Sequence, residues 1–315
     1  MTIDQQTAAL LHQINRHVAD PGEKTSIADA RAGAHALFSG FSGKTDQNCR
    51  TEDRRIGWMG CDVPVRIYHP GEKDRSASLP IVVFFHGGGW SLGDVDSYDS
   101  LIHSLCSSSQ AIYVSVDYRL APEHKYPAGL NDCIAVTEWL LAHGGDINGD
   151  ISRIGIMGDS AGGNLATVVA HKINNHRKKS VKALFLLYPV MDNSRPHEYY
   201  PSRMSSGNGE YLLSRDGIDT ALDWYLSHGD DRTDPAISPA RQEGLTLMPP
   251  TIIVVGGYDP LLDEAKEYHR RLVSSAVAST LKCYDTTIHA FLSFGILDVT
   301  RKARHYVAAQ VRQLL

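Results

Sequence analysis

The 315-residue sequence has little cysteine, and its cysteines do not form a recognisable framework. The five are odd in number and widely spaced, with no C-x-x-C pair: Cys49, Cys61, Cys106, Cys133 and Cys283. Disulfide-rich secreted domains have a dense, even set of cysteines, and structural zinc sites have closely spaced pairs. The sequence therefore predicts free thiols, with neither a disulfide framework nor a metal site.

Long hydrophobic runs are also absent. The longest apolar stretches, at residues 80–85 and 183–190, are the length of a strand, whereas a membrane-spanning helix needs roughly 18 or more apolar residues. The N-terminus lacks the basic start, apolar centre and small-residue cleavage site of a signal peptide. We therefore expect no membrane span and a cytoplasmic location.

The sequence has no excess of positive charge. Thirty-one Lys and Arg residues face thirty-six Asp and Glu residues, which gives a formal net charge of −5. Nucleic-acid-binding proteins usually carry a basic patch that neutralises phosphates. The charge balance therefore argues against a nucleic-acid partner.

What the sequence does contain is an alternation of strand-like and helix-like segments. Strands are predicted at residues 63–69, 80–86, 111–117, 153–158, 181–190, 251–256 and 280–284. Helices are predicted at residues 99–108, 130–142, 164–175, 260–275 and 301–314. Continuous apolar runs such as IVVFF and TIIVV are typical of parallel strands that are buried on both faces. The pattern predicts one α/β domain with a mostly parallel central sheet flanked by helices.

Two segments lie outside this alternation. Residues 1–50 have the pattern of short helices and polar loop, and residues 192–240 form a polar, Tyr-rich insertion between two strands. Within the insertion, Ile218, Leu222 and Tyr225 follow helical spacing after the capping candidate Ser214. An insertion of this length in a compact fold is usually functional, so it is interpreted as a lid or cap.

The strongest motif is G-x-S-x-G at residues 158–162, between a predicted strand and a predicted helix. This context is typical of a nucleophile elbow, in which a strained turn exposes the serine. The nucleophile would be Ser160. The alternative is that Ser160 merely caps the following helix.

A serine nucleophile requires a base, a group that orients the base and donors for an oxyanion. The triglycine after the strand at 80–86 can turn backbone N–H groups toward a ligand, so Gly88 and Gly89 are predicted as donors with Ala161. His86 is interpreted as holding this glycine loop by hydrogen bonding. A flexible turn is the alternative role of the triglycine.

Candidates for the acid and the base follow in the order Ser, Asp, His that is typical of α/β-hydrolases. Asp259 follows the strand at 251–256, and His289 follows the last strand. Asp259 also precedes a proline and could serve as a helix N-cap, which is compatible with catalysis. Asp263 and Glu264, in the first helical turn, are interpreted either as structural or as supporting the residues that do the chemistry.

These motifs resemble those of the hormone-sensitive-lipase-like carboxylesterases of the α/β-hydrolase fold. The resemblance covers about residues 53–294 and includes HGGGW at 86–90, DYRLAPEHKYPA at 117–128, GDSAGGN at 158–164, YDPLLDE at 258–264 and IHAF at 288–291. It implies that Ser160, Asp259 and His289 form a triad, with Gly88, Gly89 and Ala161 as the oxyanion hole. One departure is Ala290, where the family usually has glycine.

The resemblance also implies a helical cap. Residues 1–50 would form its N-terminal part and residues 192–240 its second part, on an α/β-hydrolase core of residues 51–191 and 241–315. Five aromatic residues are candidates for the substrate pocket, although core packing would explain each one singly: Trp90, Phe38, Phe41, Tyr211 and Trp224.

The expected function is a serine carboxylesterase that hydrolyses short- to medium-chain carboxylic esters through an acyl-enzyme on Ser160, with a small-molecule ester as partner and no cofactor. One alternative is an amide, formamide or lactone hydrolase that uses the same triad. Another is a non-catalytic small-molecule receptor, although relatives of that kind lose the histidine that this chain keeps at 289. A homodimer is compatible with the sequence, but no particular residue indicates one.

Overall fold

A computed structural model describes residues 2–15, 26–45, 48–71 and 77–315. Its strands are β1 (Cys49–Trp58), β2 (Cys61–Pro70), β3 (Leu79–Phe85), β4 (Ile112–Val116), β5 (Gly149–Asp159), β6 (Val181–Leu187), β7 (Thr251–Tyr258) and β8 (Ser279–Ile288). They form one sheet in the order β1-β2-β4-β3-β5-β6-β7-β8. β2 is antiparallel to β1 and β4, and all other neighbours are parallel. The predicted mostly parallel α/β sheet is confirmed.

Helices surround this sheet. Those in the described residues are α1 (Gln5–Asn15), α2 (Ile27–Phe41), α3 (Asp99–Ser109), α4 (Ala128–His143), α5 (Ala161–His176), α6 (Pro201–Ser206), α7 (Arg215–Tyr225), α8 (Leu262–Ser274) and α9 (Asp298–Leu314). α7 begins where the capping pattern predicts it, because the Ser214 hydroxyl accepts a hydrogen bond from the Gly217 N–H at 2.9 Å. Over the described ranges, no helix combines the length and apolar composition needed to cross a membrane.

The alternation of side chains along β3 explains why its sequence is apolar at every position. Ile81, Val83 and Phe85 pack into the layer that contains α4, α5 and α8. Val82 and Phe84 pack into the opposite layer, against α3 and α9. All five side chains are fully buried. The strand is therefore covered on both faces, as a central parallel strand must be.

Strand β1 was not predicted, since the sequence pattern placed the first strand at residue 63. Half of the residues in its sequence, CRTEDRRIGW, are charged, and most of its residues are exposed. It joins β2 through Met59 and Gly60, whose φ angles of +51° and +78° suit a tight hairpin turn. Charged side chains on an edge strand hinder pairing with other chains. The same charged residues replace the alternation of apolar and polar residues by which a strand is identified in a sequence, which is why β1 was not predicted.

The topology brings the predicted site residues together at one edge of the sheet. β3, β5, β7 and β8 run in the same direction, so their carboxyl ends meet there. The glycine loop at 86–90 follows β3, Ser160 follows β5, Asp259 follows β7 and His289 follows β8. In open α/β sheets this edge is where ligands bind.

Candidate active site

Ser160 lies in a sharp turn between β5 and α5. Its φ and ψ angles are +52° and −119°, a combination that costs a residue with a side chain about 1–3 kcal/mol. Two hydrogen bonds hold the turn: the Ser160 N–H donates to the Leu187 carbonyl at 2.9 Å, and the Ser160 carbonyl accepts from the Val190 N–H at 3.0 Å. The strand that neighbours β5 therefore holds Ser160 in this conformation.

The two outer glycines of G-x-S-x-G are required by close backbone contacts. A Cβ atom on Gly158 would lie 2.1 Å from the Gly162 carbonyl oxygen. A Cβ atom on Gly162 would lie 2.0 Å from the carbonyl oxygen of Phe85. Any larger residue would push α5 away from the sheet. The motif thus allows the tight passage from strand to helix.

The side chains of Ser160, His289 and Asp259 form a continuous line of hydrogen-bonding distances. The Ser160 Oγ lies 3.0 Å from His289 Nε2, and His289 Nδ1 lies 2.9 Å from Asp259 Oδ2. Asp259 is fully buried and His289 is 5% exposed. A proton on Nδ1 would be held by the carboxylate, which leaves Nε2 free to accept the serine proton.

Asp259 also accepts a hydrogen bond from the main chain. Its Oδ1 accepts from the Leu261 N–H at 2.8 Å, while Oδ2 faces the histidine. The carboxylate therefore fixes the start of the segment that leads into α8 and orients the imidazole at the same time. α8 begins at Leu262 with Leu261 at its N-cap and has no side-chain capping bond, so Asp259 is not the helix N-cap.

The glycine loop after β3 has a backbone that glycine adopts without strain. The φ angles of Gly88 and Gly89 are +100° and +59°, and a Cβ atom on Gly88 would lie 2.3 Å from the Leu92 carbonyl oxygen. No backbone acceptor in the described residues takes the N–H group of either glycine. Ala161 is the first residue of α5, and N–H groups in the first turn of a helix lack helical partners. No backbone acceptor in the described residues takes the Ala161 N–H either.

Asp159, which the sequence analysis did not single out, fastens the glycine loop to β5. Its Oδ1 accepts a hydrogen bond from the Gly87 N–H at 2.7 Å, and its Oδ2 accepts from the Tyr98 hydroxyl at 3.1 Å. The residue is 1% exposed, and burial raises the pKa of Asp159 to about 7. The aspartate of GDSAG thus links the serine turn to the loop that carries Gly88 and Gly89.

His86 lies on the other side of the loop. Its Nδ1 is 2.8 Å from the Gly87 carbonyl, and its ring stacks on Tyr118 with centroids 4.4 Å apart. Burial lowers the pKa of His86 to about 4, so the ring is neutral at pH 7 and donates to the Gly87 carbonyl. This contact agrees with the interpretation that His86 holds the loop.

The buried Asp159 carboxyl predicts a pH effect on stability. Because its pKa is about 7 in the folded chain and about 4 in an unfolded one, the folded state retains a proton between these pH values. Its stabilising contribution is complete below about pH 4 and is lost as the pH rises through about 7. From pH 4 to 8, we expect the free energy of unfolding of Asp159→Asn to rise relative to wild type by up to about 4 kcal/mol.

Urea denaturation of both proteins across this pH range measures the difference. Asp150→Asn is a suitable control, because Asp150 bonds to Ser152 and Arg153 and the pKa of its carboxyl is lowered rather than raised. Its difference from wild type should therefore stay nearly constant from pH 4 to 8, because the pKa of its carboxyl is about 2 in the folded chain and about 4 in an unfolded one. A constant difference between wild type and Asp159→Asn would contradict the prediction.

A cavity of about 430 Å³ opens beside Ser160 and His289. α2 and α7 supply much of its lining, and most lining residues are apolar. Three of the predicted pocket aromatics, Phe38, Trp90 and Trp224, line it. Sequence reasoning missed several further lining residues, namely Ala30, Ala34, Leu37, Leu92, Val190, Asn193, Leu212, Leu213 and Ile218.

The other two predicted aromatics lie outside the lining. Phe41, the last residue of α2, packs against the core layer that contains α3 and α9. The Tyr211 ring lies 5.0 Å from the ring of Tyr258. Both residues are close in sequence to residues that line the cavity, but their own side chains pack against the core.

A buried ion pair connects the insertion with the helix after Asp259. Glu264 of α8 is fully buried, and Arg203 of α6 is 2% exposed. The Arg203 guanidinium donates to Glu264 Oε2 through Nε at 3.0 Å and also through Nη2. Glu264 Oε1 accepts from the Met191 N–H at 2.7 Å. Glu264 therefore has a charged partner on Oε2 and a backbone partner on Oε1.

Ser202, which precedes Arg203 in α6, strengthens the same junction. Its hydroxyl donates to the Pro260 carbonyl at 2.8 Å, and its N–H donates to Asp263 Oδ2 at 2.8 Å. These contacts lie directly beside Asp259. The insertion is consequently anchored to the segment that carries the carboxylate of the Ser-His-Asp line.

Taken together, the sheet, the strained serine turn and the Ser-His-Asp geometry define an α/β-hydrolase. A family model described as alpha/beta hydrolase fold matches residues 82–293. The chain belongs to this family, in the branch of the hormone-sensitive-lipase-like carboxylesterases.

Named relatives and solved structures resemble most of the chain. Carboxylesterase NlhH of Mycobacterium tuberculosis is 37% identical over 79% of this chain and 77% of its own length. Ethyl acetate hydrolase of Pseudomonas putida is 30% identical over 81% of this chain and 80% of its own. The crystal structure of a thermostable esterase from Pseudomonas putida ECU1011 superposes with a TM-score of 0.92 at 30% identity, covering 100% of this chain and 98% of the other.

Proposed function

We propose that this protein is a serine carboxylesterase that hydrolyses short- to medium-chain carboxylic esters through an acyl-enzyme on Ser160. The observation that carries the proposal is the Ser160–His289–Asp259 line, with distances of 3.0 and 2.9 Å, which opens into an apolar cavity. The relatives named carboxylesterase and ethyl acetate hydrolase support the same reaction class.

The first half of the reaction forms the acyl-enzyme. His289 Nε2 takes the proton of the Ser160 hydroxyl as Oγ attacks the ester carbonyl, and the carbonyl oxygen becomes an oxyanion. The N–H groups of Gly88, Gly89 and Ala161 stabilise this oxyanion. Collapse of the tetrahedral intermediate breaks the bond to the alcohol oxygen, which receives the proton from His289 and leaves.

The second half releases the acid. Water gives a proton to His289 Nε2 and attacks the acyl carbonyl, which forms a second oxyanion in the same position. Collapse returns the electron pair to Ser160 Oγ, and His289 protonates this oxygen. Asp259 holds the imidazole tautomer and stabilises the imidazolium throughout. Each step uses groups of the chain and one water molecule, so the mechanism requires no cofactor.

The cavity supports neutral esters of limited size. Its volume is about 430 Å³. Three of its lining residues have ionisable side chains, namely Tyr98, Asp159 and His289. We propose that residues 1–50 and 192–240 act as two parts of a helical cap over a core of residues 51–191 and 241–315, since α2 and α7 both line the cavity. The homodimer and the cytoplasmic location stay predictions from the sequence.

The proposal can be tested by labelling and by substrate range. A p-nitrophenyl alkylphosphonate should release about one equivalent of p-nitrophenolate per chain as Ser160 Oγ bonds to phosphorus, and mass spectrometry of peptides should locate the label on Ser160. Among p-nitrophenyl esters from acetate to palmitate, palmitate should be the poorest substrate, because its chain and leaving group together overfill the cavity.

Three results would contradict the proposal. Labelling of another residue would reject the nucleophile. Faster turnover of a matched amide, formamide or lactone than of the ester would favour the alternative hydrolase activity. Tight ligand binding without turnover or labelling would favour the receptor.

A further inference from the structure

Helix α7 of the insertion packs directly against the loop that carries Gly88 and Gly89. The ring of Tyr225 in α7 stacks on the ring of Trp90, with centroids 4.4 Å apart and ring planes inclined by 5°. One turn earlier in the helix lies Ala221, and a Cβ atom on Gly89 would lie 2.8 Å from the Ala221 Cβ. Residues four positions apart lie on one face of a helix. One face of α7 therefore contacts two consecutive residues of the loop.

The loop needs this support because Trp90 has an unfavourable backbone conformation. Its φ angle is +58°, and a residue with a side chain stays in this region only where its surroundings hold it there. The Trp90 carbonyl accepts a hydrogen bond from the Ala121 N–H at 3.0 Å, and the buried indole ring lies against Tyr225. Gly89 directly precedes Trp90 in the chain, so a shift of Trp90 would also move the Gly89 N–H.

The C-terminal end of α7 is itself fixed. The Lys125 Nζ donates to three carbonyls there at 2.7–2.8 Å, those of Asp223, Trp224 and Leu226. The Tyr126 N–H donates to the Tyr225 carbonyl at 2.9 Å. An ammonium group suits the last carbonyls of a helix, which lack helical partners and carry the negative end of its dipole. Tyr225 therefore meets the loop from a fixed position.

We propose that Tyr225 is a positioning residue for ester hydrolysis, which holds the Gly89 N–H where the oxyanion forms by stacking on Trp90. This inference rests on the proposed function and adds a role for the insertion in the chemical step. Tyr225 is not among the residues that line the cavity, so its influence on the reaction passes through the loop. The insertion then stabilises the transition state as well as enclosing the substrate.

The test compares Tyr225→Leu, which removes the stacked ring, with Tyr225→Phe, which keeps it. The Tyr225 hydroxyl has no hydrogen-bond partner in the described part of the chain, so phenylalanine loses no such bond. With p-nitrophenyl acetate, kcat of Tyr225→Leu should fall by about 10²-fold, because a displaced oxyanion donor costs about that much. KM should change by less than about 3-fold, and Tyr225→Phe should match wild type in both constants.

Two inhibitors of similar shape distinguish a displaced donor from general damage to the site. Ser160 Oγ bonds to the carbonyl carbon of 1,1,1-trifluorohexan-2-one as His289 accepts its proton, and the π electrons of the carbonyl move to oxygen, which becomes an oxyanion. 1,1,1-Trifluorohexan-2-ol forms no oxyanion. In Tyr225→Leu, the Ki of the ketone should rise by about 10²-fold and that of the alcohol by less than about 3-fold.

Two further variants separate this effect from a loss of stability. Tyr268→Leu removes another fully buried tyrosine, in α8, whose hydroxyl also lacks a partner among the described residues, and it should keep both wild-type Ki values. If Tyr225→Leu does not fold, Ala221→Val takes its place, because Ala221 is half-buried and added methyl groups would press on Gly89. It should raise the Ki of the ketone about 10-fold more than that of the alcohol.

The outcomes distinguish this inference from the proposed function. Equal changes of the two Ki values in Tyr225→Leu, or in Ala221→Val where that variant replaces it, would show a merely structural role and overturn the inference. A loss in Tyr225→Phe as large as that in Tyr225→Leu would overturn it as well. If the wild-type protein hydrolyses no ester and binds the ketone no more tightly than the alcohol, the proposed esterase function itself fails, and the inference fails with it.

Discussion

Replacing Ser160 with alanine is expected to lower kcat/KM for p-nitrophenyl butyrate by about 10⁴- to 10⁶-fold. The substitution removes the nucleophile but leaves the oxyanion donors, which retain a small residual rate acceleration. In the described residues, the hydroxyl has His289 as its hydrogen-bond partner, so little stability should be lost. Initial rates and a thermal melt of the two proteins measure these effects.

Ser180→Ala serves as the matched control for this loss. Ser180 is half-buried, its hydroxyl donates to the Arg177 carbonyl, and it precedes β6 at the amino end of the sheet. Its rates should equal those of wild type. Activity retained in Ser160→Ala would show that the line of three side chains is not the catalytic centre.

The second large effect is on stability. Replacing Arg203 with methionine leaves the fully buried Glu264 carboxylate without its cationic partner. Breaking a buried ion pair in this way costs about 3–5 kcal/mol. We expect the free energy of unfolding, measured by urea denaturation, to decrease by that amount.

A double variant and a surface pair provide the controls. Arg203→Met with Glu264→Gln removes both charges while keeping an acceptor for the Met191 N–H, and it should recover more than half of the lost stability. The Arg55–Asp62 pair, at 2.8 Å, has side chains that are 59% and 63% exposed. Arg55→Met should therefore cost less than about 1 kcal/mol. Equal losses at the two sites would contradict the prediction.

The parts of the site that the sequence predicted are those fixed by local geometry. The outer glycines of the serine turn are required by contacts within a few residues, or with the end of an adjacent strand. Asp259 and His289 follow their strands directly. The order of these motifs along the chain was therefore enough to predict that both lie near Ser160, although His289 is 129 residues away from it in sequence. A catalytic residue that directly follows a strand can therefore be predicted from its position in the sequence.

The parts that were missed depend on distant packing. Phe38 and Phe41 lie about one turn apart in α2 and both pack against the core layer that contains α3 and α9. No local pattern shows that only Phe38 also lines the cavity. Asp159 was visible only as the second letter of a motif, since its partners Gly87 and Tyr98 come from other elements. Nothing in the local sequence distinguishes Asn193 from other loop asparagines, because its orientation depends on a hydrogen bond to the distant Ile237 carbonyl.

Helix α2, which lines the cavity, and the turn that carries Ser160 differ in how tightly they are packed. α2 has no fully buried residue, and its cavity-lining residues Ala30, Ala34 and Leu37 are half-buried, so changes of side-chain size there cost less than in a close-packed core. The serine turn, in contrast, has no space for a single methyl group at Gly158 or Gly162. The lining contributed by α2 therefore accepts side-chain changes that the serine turn does not, and laboratory selection for new substrates should begin at Ala30, Ala34 and Leu37.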